Sequence, residues 1–269
     1  MIFVELNRVF HMILKHIFAV AALFLCFSCG GGADPDSEPE EPDVVEAGRI
    51  ERISVFSTEL KRQMVTTVWL PAGYDETKTY PFLYLLHGYG DDNDSWIQKG
   101  SASTIADKYI HDKGVPMVIV MPNGLVSFYQ GPYESFLHDT LMPQVEEKFH
   151  CNGKRALAGL SMGGYGTIYH ALRYPDKFKY AYAMSPASDI TGFRALAMRF
   201  NASDYPPMTV ESGTEDGVVY ISSVRDLVNM LQECGLNCDF IERSGGHDWY
   251  FWPVCLRKAL DKIGKTFNR

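Results

Sequence analysis

Long apolar runs, a surplus of positive charge and metal-binding signatures are all missing from this sequence. No apolar stretch approaches the roughly 18–20 residues that a bilayer-crossing helix requires. The longest, IFAVAALFLCFS at 17–28, has about the length of a signal-peptide apolar region. The formal net charge is −8, and residues 1–47 carry eight carboxylates against only Arg8 and Lys15, which leaves the remainder nearly neutral. Neither part has the basic stripe that a phosphate backbone demands, so nucleic acid is excluded as a partner class. HExxH does not occur, and the four cysteines beyond residue 29 (Cys151, Cys234, Cys238 and Cys255) form no CxxC pair, so no zinc motif is present. Internal repeats are absent as well.

What is present begins with a targeting segment. Arg8, His11, Lys15 and His16 precede the apolar run, and Met12 would open a more typical signal peptide. Ser28 followed by Cys29 resembles the bacterial lipobox, with Cys29 as the lipidated residue, although Cys26 and Phe27 depart from its commonest residues. GGGADPDSEPEEPD comes next: too polar and proline-rich to fold, self-repelling, and therefore an extended tether. The expected organisation is a signal peptide at 1–28, an acidic tether at 29–47 and one globular domain at 48–269. The protein is expected to be exported and held at a periplasmic or cell-surface membrane face by the lipid on Cys29. In such a compartment Cys234 and Cys238, which flank the turn CGLNC, either pair or remain buried thiols.

With 46% hydrophobic residues, the chain can fill a single large core. From Arg49 onward apolar runs alternate with helical patterns, the rhythm of a mostly parallel sheet with helices on both faces. RIERISVFS (49–57) and QMVTTVWLP (63–71) predict an antiparallel hairpin at the sheet edge. FLYLLHG (82–88), MVIVMP (117–122), ALAGLS (156–161), YAYAMS (180–185), MTVESG (208–213) and CDFIERSG (238–245) predict further strands. FLYLL, MVIVM and ALAGL lack polar alternation, as strands buried on both faces do. Helices are expected over 101–113, 134–149, 163–174, 218–234 and 249–265.

Gly159-Leu160-Ser161-Met162-Gly163 fits G-x-S-x-G between an apolar strand and a helix, which is where a nucleophile elbow belongs. Its glycines leave room for a strained turn, and the helix N-terminus favours negative charge developing at Ser161. A serine hydroxyl needs a base. His170 lies inside the following helix, whereas His247, in SGGHDW after the last strand, is placed to reach the serine. The oxyanion of a tetrahedral intermediate needs two backbone N–H donors. Met162 supplies one, and Tyr89, in the turn LLHGYG, is the candidate for the other, with His87 fixing that turn rather than acting as base. The acid is less determined: Asp189, Glu215 and Asp216 all follow strands, and Asp216 also has the look of a helix N-cap.

HGYGDDNDSW, GLSMGGYG, GTED and GGHDW, in that order, resemble the motifs of the "Putative esterase" branch of the α/β-hydrolases. That family holds S-formylglutathione hydrolases (esterase D), the feruloyl and acetyl-xylan esterases of carbohydrate esterase family one, and mycolyltransferases. The resemblance runs from about Arg49 to the C-terminus. It implies the α/β-hydrolase fold, hydrolysis of carboxylic esters through an acyl-enzyme, and no metal or organic cofactor. It puts Ser161, Asp216 and His247 in the triad, Tyr89 and Met162 in the oxyanion hole, and Trp96 and Trp249 among the aromatic positions around the cleft. Gly217 stands where relatives carry a bulky apolar residue.

An exported enzyme of this kind is expected to meet acylated polysaccharide, which favours a feruloyl or acetyl esterase. A short-chain carboxylesterase or an S-formylglutathione-hydrolase-like thioesterase is the alternative. A binding module on the same fold would have lost part of the triad, and here all three residue types are present.

Overall fold

The computed structural model describes residues 45–269, so the expected signal peptide, Cys29 and most of the expected tether lie outside the described residues. Eight strands form one sheet: β1 (Arg49–Ser57), β2 (Arg62–Leu70), β3 (Tyr80–Leu86), β4 (Val118–Pro122), β5 (Cys151–Leu160), β6 (Tyr180–Met184), β7 (Met208–Gly213) and β8 (Cys238–Arg243). Their spatial order is β1-β2-β4-β3-β5-β6-β7-β8. The first two strands pair antiparallel and β2 joins β4 antiparallel; every later pairing is parallel. This is the α/β-hydrolase arrangement, with the hairpin at the edge.

The helices are α1 (Ser95–Gln98), α2 (Ala102–Lys113), α3 (Pro132–Ser135), α4 (Met142–Lys148), α5 (Met162–Arg173), α6 (Ile190–Ala197), α7 (Ile221–Glu233) and α8 (Trp252–Phe267). In β3, Phe82, Tyr84 and Leu86 join the core on the side of α5 and α7, while Leu83 and Leu85 join the core under α2 and α8. Every second residue thus faces a different helical layer, which is why this run shows no polar alternation. Burying a leucine such as Leu83 or Leu85 stabilises the fold by about 1.5–3 kcal/mol relative to leaving it exposed.

The structure departs from the sequence expectations in three places, each with a local cause. The helix expected over 134–149 is interrupted by a π-helical turn, Phe136–Leu141. Pro143, at the start of α4, has no N–H for the carbonyl one turn earlier, and the backbone accommodates the missing bond by widening. The segment after β6 contains α6, which the helix-breaking Gly192 hides in the sequence. There Asp189 caps the helix, its Oδ1 accepting from the Gly192 amide at 2.9 Å. The helix expected from 218 begins at Ile221, because the preceding residues belong to the loop that carries Asp216. All four described cysteines are free thiols. Cys238 is buried and its thiol is pushed up to about 12 by that burial.

Candidate active site

The carboxyl ends of the parallel strands bring the predicted residues to one edge of the sheet. There β5 delivers Ser161, the loop after β7 delivers Asp216, and the loop after β8 delivers His247. Ser161 has φ 53° and ψ −113°, a backbone conformation that costs on the order of 1–3 kcal/mol and persists only where the surroundings enforce it. Here they do. The Ser161 amide donates to Met184 O at 2.8 Å, and its carbonyl accepts from Tyr165 N at 2.9 Å and Ala187 N at 3.2 Å. A Cβ on Gly163 would stand 2.4 Å from Leu86 O, and one on Gly159 would stand 2.4 Å from Gly163 O. The elbow therefore admits only glycine at both positions.

Beside Ser161 runs the loop after β3. A Cβ on Gly88 would lie 3.6 Å from the Ser161 Cβ, so this loop packs directly against the serine. His87 is buried and holds the loop from within. Its Nε2 accepts from the Gly124 amide at 2.7 Å, which leaves the proton on Nδ1, donated to Gly88 O at 2.7 Å. Burial lowers the His87 pKa, consistent with a neutral ring whose Nε2 must keep accepting. Tyr129 OH adds a bond to His87 O at 3.1 Å. Among the described residues the Tyr89 amide has no backbone acceptor, and Met162 opens α5, where the N–H is unpaired by helix geometry. Two donors are thereby left free next to the serine, as an oxyanion hole requires.

Asp216 is 5% exposed and accepts on both oxygens. Oδ2 takes the bond from His247 Nδ1 at 2.7 Å; Oδ1 accepts from the amides of Val218 at 2.9 Å and Val219 at 2.7 Å. Burial alone would raise the carboxyl's pKa, but the bonds from His247 and the two amides outweigh it and hold the group below the ordinary range. Asp216 is therefore not the helix cap, since α7 is preceded by Tyr220 at its N-cap; Oδ1 instead braces its own loop through Val218 and Val219 while Oδ2 meets His247. Glu215 turns outward, with Oε1 accepting from Ser244 Oγ at 2.8 Å. A Cβ on Gly217 would meet nothing within 4 Å, so the acid loop is open there. Asp189, as a helix cap, makes no contact with His247.

Trp96 does not line a cleft. It is fully buried, donates Nε1–H to Leu86 O at 3.1 Å, and sets its ring edge-on to Trp249 with centroids 5.1 Å apart. Its indole N–H needed a buried acceptor, and the end of β3 supplied one. Trp249 is half-buried between Trp96 and Trp252, and Trp252 meets the His247 ring edge-on at 5.0 Å.

The ring that meets Tyr89 comes from NGLVSFYQG, after β4. Phe128 lies 6.3 Å from the Tyr89 ring and 5.5 Å from Tyr165, whose hydroxyl accepts from Gln130 Nε2 at 2.7 Å. Leu125, Phe128 and Tyr129 all have positive φ, between 52° and 60°. Strain of this kind at the carboxyl end of a strand marks a functional loop. The sequence signal was an aromatic, glycine-bounded loop in that position. A cavity of about 800 Å³ opens between α2 and α8 and is lined by residues such as Lys108, Tyr109, Arg257 and Lys262, none of them on the three loops above.

A strained serine turn, an Asp216–His247 pair on loops at the same sheet edge and a glycine-rich loop packed against the serine are the parts that acyl transfer uses. The family model described as "Putative esterase" matches residues 57–263. An endo-1,4-beta-xylanase/feruloyl esterase of Xylanibacter ruminicola is 28% identical over 244 residues, covering 82% of this chain and 32% of that protein. The chain therefore spans about a third of that relative. An acetyl esterase of Caldicellulosiruptor saccharolyticus is 24% identical over 270 residues, 81% of this chain and 98% of that one. Among solved structures, a ferulic acid esterase superposes with a TM-score of 0.75 at 26% identity, covering 82% of this chain and 100% of that chain.

Proposed function

The chain belongs to the "Putative esterase" family of carboxylic ester hydrolases, and from that premise we propose that it removes feruloyl or acetyl groups from polysaccharide or oligosaccharide through a Ser161 acyl-enzyme. The observation that carries the reading is the 2.7 Å bond between Asp216 and His247 on loops flanking the strained Ser161 turn. In this mechanism Ser161 Oγ attacks the ester carbonyl and passes its proton to His247 Nε2, while Asp216 holds the imidazolium. The amides of Tyr89 and Met162 receive the oxyanion. His247 then protonates the departing sugar oxygen as its bond to the acyl carbon breaks, and water reverses the sequence to free the acid. Ser161 Oγ is not hydrogen-bonded among the described residues; in this mechanism its bond to His247 forms when substrate fills the site.

A feruloyl group is supported by the Tyr89, Phe128 and Tyr165 rings beside the oxyanion loop, which offer edges and faces to an aryl acid. The full-length match to an acetyl esterase favours a second reading, a short-chain carboxylesterase. Comparing kcat/KM on methyl ferulate, acetylated xylan, short-chain p-nitrophenyl esters and S-formylglutathione separates them. The expected order puts a carbohydrate-linked or aryl ester first; preference for the thioester would overturn the substrate assignment.

Export and anchoring through Cys29 complete the proposal, supported by the apolar run at 17–28 and the acidic segment that follows. Radiolabelled palmitate is expected to label the wild-type chain in a bacterial host and to be lost with Cys29→Ala. Incorporation that persists in the variant would refute it.

A further inference from the structure

A buried charge cluster that the chemistry itself does not use anchors the loop bearing His247. Glu211, within β7, is fully buried. Its Oε1 accepts from Arg243 Nε at 2.5 Å and Lys258 Nζ at 2.8 Å, and its Oε2 accepts from Tyr182 OH. Burial would raise this carboxyl, but the bonds from Lys258, Tyr182 and Arg243 outweigh it and keep the group ionised. Arg243 is the last residue of β8, paired in register with Gly213 of β7. Its Nη2 donates to Phe251 O at 2.7 Å and to Cys255 Sγ at 3.2 Å, and its guanidinium carbon lies 3.5 Å from the centre of the Phe251 ring.

Arg243 therefore grips both ends of segment 244–251: it begins the segment, and it holds the segment's last carbonyl and ring. His247 stands midway. The near half of the loop leans on the same ring, because Gly245, at φ 143°, approaches Phe251 so closely that a Cβ would fall 2.3 Å from it. The acid loop is tied to the same segment by Thr214 N to Arg243 O at 2.9 Å and Glu215 N to Gly245 O at 3.1 Å. A shift of the guanidinium would move base and acid loops together.

We infer that Glu211 and Arg243 are positioning residues for His247, a buried clamp that sets where the base stands relative to Ser161. The inference rests on the triad reading above. A pair that merely stabilises the fold is the competing account, and buried ion pairs are weak stabilisers in general. Arg155, in β5 well before Ser161, and Glu146, in α4, form a comparable two-pronged pair, both bonds 2.6 Å, and so provide a control.

The test compares wild type, Arg243→Ala, Arg243→Lys and Arg155→Ala on p-nitrophenyl acetate, with Tm measured and Ser161 labelling by a fluorophosphonate probe. Misplacing a base by about 1 Å costs on the order of 100-fold, so Arg243→Ala is expected to lower kcat by about that factor while KM stays within about twofold. Millimolar guanidinium ion is expected to restore at least about tenfold of the loss. Arg243→Lys, which keeps the charge but not the fork, is expected to fall between and remains informative if the alanine variant does not fold. Arg155→Ala is expected to lose stability yet keep kcat within about twofold. An unchanged kcat in the Arg243 variants, a loss equal to that of Arg155→Ala, or no response to guanidinium would overturn the clamp. Absence of probe labelling at Ser161 in wild type would instead sink the triad reading beneath it.

Discussion

Ser161→Ala is expected to lower kcat on p-nitrophenyl acetate by roughly 10⁵–10⁶-fold, the scale on which loss of a triad nucleophile is felt. The circular dichroism spectrum and Tm should stay close to those of wild type. The expectation follows from the elbow: the turn is held by Met184 O, by the amides of Tyr165 and Ala187, and by the glycines at 159 and 163, none of which involves the hydroxyl. Removing Oγ thus deletes chemistry and leaves the fold. Adding His247→Ala to this variant should cost little more, because the two groups act as one unit. Hydrolysis surviving in purified Ser161→Ala would move the nucleophile elsewhere.

Asp216→Asn is expected to lower kcat by about 10⁴-fold, whereas Glu215→Gln should change it by less than about threefold. Asparagine preserves the shape but can present an NH₂ to His247 Nδ1, which forces the proton onto the nitrogen that must accept from serine. The Glu215 side chain bonds Ser244 Oγ at the exposed rim and has no such lever. The same carboxylate makes a pH signature. Because the folded-state pKa of Asp216 is depressed, its contribution to stability is fully present above the unfolded value and is lost as pH falls through the folded one. Acid titration of Tm should be shallower over that window in Asp216→Asn. Equal effects of the two substitutions on kcat would reopen the choice of acid.

Much of this was legible before the coordinates. Strands buried on both faces appear as unbroken apolar runs, and the nucleophile turn appears as glycines two residues either side of a serine, because both patterns are steric requirements of local backbone. Which of Glu215 and Asp216 faces His247 was not legible locally: it depends on the Val218 and Val219 amides folding back onto one carboxylate. The strand order β2-β4-β3 was hidden for the same reason, since pairing between distant segments leaves no mark on either one. The role of Trp96 was not legible either, because a tryptophan near an active-site loop looks the same in sequence whether it lines the surface or props it from below. Its fully buried ring decides for the second.

The tryptophans also make the site optically self-reporting. Of the four in the chain, Trp96, Trp249 and Trp252 form one edge-to-face series that ends 5.0 Å from the His247 ring. An imidazolium quenches a neighbouring indole far more than a neutral imidazole does. Trp252 emission therefore originates within reach of the base, and protonation of His247 during acylation should be visible as a dip in emission on stopped-flow mixing, with no label attached.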